Sequence, residues 1–156
     1  MDLYEEFVAL IDILNETGIN YALCGGLAVA FFGYVRFTKD IDLLIIGEDL
    51  PRIRKALEPR GFVFYSGATP FDPGSPTSRT IHRLSKIEGS DVLPIDLIIA
   101  TPLFDQVWKQ RQVVEWNGRS VQIVSREGLR FMKQLADRNQ DRLDLAQLGL
   151  GGNKDV

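Results

Sequence analysis

The residues with chemistry to offer are aspartates set in apolar runs and a pair of glycines. Arg36-Phe37-Thr38-Lys39-Asp40-Ile41-Asp42-Leu43-Leu44-Ile45-Ile46 places two carboxylates two positions apart in a stretch rich in β-branched and apolar residues. In a strand, Asp40 and Asp42 share one face while Ile41, Leu43 and Ile45 enter a core on the other. Like charges that close raise one pKa or recruit a cation, and hard oxygen donors suit Mg²⁺, with Mn²⁺ as a substitute. Pro94-Ile95-Asp96-Leu97-Ile98-Ile99 buries a further acid in an apolar strand, where an unpaired carboxylate is costly. If the two strands are neighbours, Asp40, Asp42 and Asp96 form a cluster able to hold two metal ions roughly 3.5 to 4 Å apart. Gly25-Gly26 offers the complementary half. A glycine turn between a strand and a helix leaves backbone N–H groups and a positive helix end for phosphate, and Arg36 and Lys39 stand close enough in sequence to offset triphosphate charge.

The elements that must position these residues follow from periodicity. Leu3, Phe7, Leu10, Ile11 and Leu14 recur at spacings of three and four with acids between them, which predicts an amphipathic helix stopped near Gly18. Tyr21 to Cys24 is a short apolar strand, followed by the glycine pair and a buried helix that ends at Gly33. Strand Asp40 to Ile46 leads to a third helix capped by Asp49 before Pro51, then a strand over 61–65. Ser66 to Thr80 collects prolines, glycines and hydroxyl residues and is expected to be a long loop, either a lid or mobile. Strands over 81–87 and 92–99 flank a hairpin turn at Glu88-Gly89-Ser90-Asp91, a helix covers 102–110, and Asn117-Gly118 joins a second hairpin. Ser125 caps a last helical region to about Leu148, broken near Asn139. The expectation is a single α/β (α+β) domain over 1–156, a mixed sheet flanked by helices, with a core over about 18–124 and a C-terminal helical region over about 125–148.

Bulk properties narrow the class. The chain has 156 residues, 45% of them hydrophobic, enough for one sizeable core. Its formal charge of −3 argues against a protein whose main business is coating nucleic acid phosphates. One cysteine, Cys24, makes no internal disulfide, and the acidic N-terminus lacks the pattern of an export signal, so a cytoplasmic location and no membrane association are expected. The uncharged stretch from Thr17 to Val35 approaches the roughly 20 residues of a membrane span, but its glycines and Asn20 favour a buried strand, turn and helix. Cys24 is read as a small buried hydrophobe, and His82, the sole histidine, as a sheet residue rather than a general base.

The order Gly-Gly-x-Ala, then Arg-x-Thr-x-Asp-Ile-Asp, then a third acid on a later strand, resembles the polymerase-beta-like nucleotidyltransferase superfamily over roughly residues 20–100. The wording is similar to its small bacterial branch, which includes abortive-infection toxins and antibiotic nucleotidyltransferases. The resemblance implies a nucleotidyltransferase fold. It also implies transfer of a nucleoside monophosphate from a triphosphate such as ATP to an acceptor hydroxyl, with release of pyrophosphate. Gly25 and Gly26 match the phosphate turn, Asp40 and Asp42 the metal pair, and Asp96 the acid that activates the acceptor; Lys133, on the last helical region, is a candidate nucleotide contact. Many relatives have serine where Gly26 stands, and many carry a separate helical domain that this chain lacks. The acceptor is left open between a tRNA end, a protein hydroxyl and a small molecule, and a protein partner or homodimer is allowed. Two rival readings remain: a catalytically silent nucleotide-binding or partner-binding protein of a toxin–antitoxin-type system, and a metal-dependent phosphohydrolase.

Overall fold

The computed structural model describes residues 1–151. In chain order its elements are α1 (Leu3–Glu16), β1 (Ala22–Cys24), α2 (Gly25–Phe31), β2 (Ile41–Ile45), α3 (Leu50–Leu57), β3 (Phe62–Phe71), β4 (Arg79–Glu88), β5 (Asp91–Ile99), α4 (Asp105–Lys109), β6 (Gln112–Trp116), β7 (Arg119–Ile123), α5 (Arg126–Ala136) and α6 (Asn139–Gln147). Asp2 caps α1 by accepting from the Tyr4 and Glu5 amides, and Ser125 caps α5 by accepting from Gly128. Between α5 and α6 the chain breaks at Asp137, which takes a left-handed conformation. The uncharged stretch after α1 is β1 and α2, and among the described residues no helix is long and apolar enough to cross a membrane.

The seven strands form one mixed sheet in the order β3-β4-β5-β2-β1-β7-β6. Pairs β2–β5 and β1–β7 are parallel and the other four are antiparallel. The central strands are the most apolar. Ile41, Leu43 and Ile45 of β2 and Ile95 and Leu97 of β5 are fully buried on the face opposite the acids. Each such side chain contributes roughly 1.5 to 3 kcal/mol on leaving water. On the acid face Leu44 is also fully buried, so that face is covered beyond Asp42. Helix α1 packs against α3 and β7, α2 against β1, β2 and α5, and α5 against α4 and α6.

Two expectations need correction. The segment from Ser66 to Thr80 is no long loop: β3 continues to Phe71 and pairs with β4 through Gly67↔Arg83, Thr69↔Ile81 and Phe71↔Arg79. Its loop-forming residues are absorbed by the ladder. Gly67 sits at a register shift with φ 89°, a bulge, and Pro70 lies on the sheet's outermost strand, where a missing N–H costs little. Only 72–78 turn the chain, pinned by Asp72, which accepts from Thr77 Oγ1 and from Arg79. Asp49 is not a side-chain cap: Gly47–Asp49 form a 3₁₀ turn that leads into α3 without a side-chain hydrogen bond at its start.

Candidate active site

The acids meet where two central strands run parallel. Asp42 on β2 and Asp96 on β5 are register partners, and Asp40 stands one residue before β2. Alternation turns all three side chains to one face, and ligand oxygens of the three carboxylates lie within 4.8 Å of one another. Asp40 and Asp42 are partly buried, and the Asp96 side chain is 13% exposed.

Their electrostatics are unlike those of paired carboxylates. Among the described residues no side chain or amide donates a hydrogen bond to the carboxylate of Asp42. Burial, reinforced by Asp40 and Asp96, pushes its pKa up to about 8, against the pull of Lys133 and Arg138. Burial and the charge on Asp96 also raise Asp40. Asp96 is different, because Arg83 of β4 forks onto both of its oxygens at 2.8 and 2.9 Å.

The glycine pair is fitted to this cluster. Cys24 is the register partner of Asp42, so the chain turns at Gly25 directly beside that carboxylate. A Cβ on Gly25 would stand 2.0 Å from Asp42 Oδ2, and the residue has φ 66°, so both space and backbone require glycine. At Gly26 a Cβ would meet Thr38 Oγ1 at 2.8 Å and the Arg36 guanidinium at 3.2 Å. The serine that many relatives carry would collide with Thr38, which accounts for the departure. The first turn of α2 has no side-chain cap.

The basic candidates are distributed differently from one another. Arg36 donates through Nε and NH2 to both oxygens of the fully buried Asp144 at 2.7 and 2.8 Å, which ties the segment before β2 to α6. Lys133 is 6% exposed and lies 2.9 Å from Asp141 and 3.0 Å from Asp144. Its charge reaches Asp42 only at a distance. Lys39 is exposed in a shallow hollow with Met1, Phe37 and Val92 and makes no ion pair among the described residues. Cys24 is 1% exposed, and burial raises its thiol pKa, so it is no nucleophile. His82 Nδ1 lies 2.6 Å from the Tyr65 hydroxyl, and alternation along β4 points it away from the acid face.

Sequence reasoning missed Arg83. The signal was present, because a two-residue turn at Gly89-Ser90 sets Glu88 opposite Asp91, and counting back along the hairpin sets Arg83 opposite Asp96. It also missed the part of Thr38 beneath Gly26.

No protein-family model and no curated protein sequence matches the chain. Solved structures do. The lincosamide antibiotic adenylyltransferase LnuA, solved with lincomycin bound, superposes with a TM-score of 0.61 at 18% identity, over 95% of this chain and 97% of that one. A nucleotidyltransferase structure from Thermotoga maritima gives 0.60 at 18% identity over 94% of both chains. The solution structure of the antibiotic-resistance factor ANT(2'')-Ia gives 0.55 at 18% identity, over 96% of this chain and 86% of that one. The chain has the nucleotidyltransferase fold. Within it, three carboxylates converge on the sheet's centre and one has no hydrogen-bond donor of its own among the described residues. An all-oxygen donor set with spare negative charge fits a hard dication of the Mg²⁺ type.

Proposed function

We propose that this chain transfers a nucleoside monophosphate from a nucleoside triphosphate to an acceptor hydroxyl, with Mg²⁺ held by Asp40, Asp42 and Asp96. The observation that carries the reading is the convergence of three aspartates whose ligand oxygens lie within 4.8 Å of one another on a nucleotidyltransferase fold. When bound, the dication supplies charge neutralisation for the triphosphate and the departing pyrophosphate.

The chain's own groups do the rest. The amides of the Gly25-Gly26 turn receive the terminal phosphates beside Asp42, where no Cβ obstructs the approach. Asp96 takes the proton of the acceptor hydroxyl as its oxygen bonds to the α-phosphorus; the bridging P–O bond breaks, and pyrophosphate leaves with the electron pair. Lys39 is the free surface cation that offsets triphosphate charge. Arg36 and Lys133 act indirectly, since Asp144 and Asp141 already engage them. The acceptor is proposed to be a small molecule. This chain spans 97% of LnuA, which was solved with lincomycin bound, so a chain of this length needs no separate helical domain to hold such an acceptor.

The test is incubation with labelled triphosphates, Mg²⁺ and a panel of hydroxyl-bearing small molecules, following pyrophosphate and labelled product. Pyrophosphate formation lost in Asp42→Asn supports the reading. Activity that survives that substitution overturns the mechanism. Phosphate release without an acceptor identifies a phosphohydrolase, and nucleotide binding without turnover identifies a silent core.

A further inference from the structure

Arg83 stands opposite Asp96 in the antiparallel register of β4 and β5, so both side chains leave the sheet on the face that carries the acids. Its Nε donates to Asp96 Oδ1 at 2.8 Å and its NH2 to Oδ2 at 2.9 Å, while the same NH2 lies 3.9 Å from Asp40 Oδ2. A planar guanidinium forked on one acid and within ionic reach of a second holds the place of a bridging cation.

The other cations near the site are fixed elsewhere. Arg36 forks onto Asp144, Lys133 is buried between Asp141 and Asp144, and Arg138 donates to Asp141. Arg83 alone is directed at the acid cluster. Its side chain is 47% exposed, and among the described residues it has no hydrogen bond other than those to Asp96, so it can swing into water without unpacking anything. An exposed ion pair of this kind is weak enough to be exchanged for a stronger one.

We propose that Arg83 is an internal counter-ion that occupies the Asp40–Asp96 side of the cluster in the dication-free protein and is displaced when a dication binds there. This rests on reading the cluster as a dication site and adds its regulation: dication affinity is set low by a competitor built into β4. Two positive charges do not share the Asp96 carboxylate without cost, so each weakens the hold of the other by the same factor.

The test is equilibrium binding of Mn²⁺ alone, without nucleotide, followed through the electron paramagnetic resonance signal of the free ion. Arg83→Gln is expected to bind Mn²⁺ about tenfold more tightly than the native chain. Arg83→Lys falls between them, because an ammonium keeps the charge without the fork. Unchanged affinity in Arg83→Gln overturns the proposal, and so does weaker affinity, which would make Arg83 a support for Asp96 rather than a competitor. Asp42→Asn separates this from failure of the underlying reading. If it binds Mn²⁺ as well as the native chain, or if no chain binds the ion, the dication site itself is wrong. Near-native thermal melts of each variant establish that the readout reports on folded protein.

Discussion

Asp42 concentrates the electrostatic cost of the site in one side chain. Its carboxyl holds a proton up to about pH 8 because burial and two neighbouring acids disfavour the charge. An unfolded aspartate releases its proton near pH 3.9. Between those values the native state binds more protons than the unfolded state, so stability falls as pH rises. The dication-free protein is therefore expected to melt at progressively lower temperature from about pH 5 to pH 8. Asp42→Asn is expected to flatten that slope and to melt higher than the native chain at pH 8. A thermal melt series in chelator checks both, and a melting temperature that rises with pH in the native chain would contradict the assignment. Gly25 carries the second prediction at this scale. Alanine there places a Cβ on the Asp42 carboxylate at a positive φ, so Gly25→Ala is expected to destabilise by about 1 kcal/mol or more and to abolish nucleotidyl transfer. Denaturant unfolding and the pyrophosphate assay report the two effects.

At the scale of elements, the join between α5 and α6 depends on buried charge. Lys133 is enclosed by Asp141 and Asp144, which Arg138 and Arg36 approach from outside. Contact with these cations holds both carboxyls below the usual range despite burial. Removing the ammonium leaves two buried carboxylates short of a partner, and Lys133→Met is expected to cost about 3 kcal/mol or more, seen as a lower urea midpoint. The sign of its pH dependence is opposite to that of Asp42: the Asp141 and Asp144 contributions are present above the ordinary aspartate pKa and are lost on acidification below it. The elements also differ in how far sequence announces them. Helix α1, the glycine turn, β2, β5 and the Asn117-Gly118 hairpin follow from spacing and turn chemistry. The outer half of β3 does not, because Gly67, Pro70 and the turn after Phe71 read as loop when the ladder from β4 is unknown. Pairing with Arg79–Arg83 overrides local composition.

For the whole molecule, the site ties the sheet's centre to its stability. The acids come from β2 and β5, and the glycine turn from β1, so a ligand that holds them favours the native arrangement over any opened one. Millimolar Mn²⁺ or Mg²⁺ is expected to raise the melting temperature at pH 8 in the native chain and not in Asp42→Asn, by the linkage between binding and folding. Calorimetry with and without chelator checks it.

The residue types of the site were legible in the chain by itself: carboxylates within apolar runs and paired glycines are costly locally, so their presence marks a purpose that periodicity can place on strands. What no local pattern contains is which strands adjoin. The parallel pairing of β2 with β5 sets Asp42 beside Asp96, the register of β4 brings Arg83 onto that acid, and α6 draws Arg36 and Lys133 onto Asp144 and Asp141. Long-range burial decided those partners, because a charge in the interior takes whichever opposite charge the packing of distant segments delivers to it.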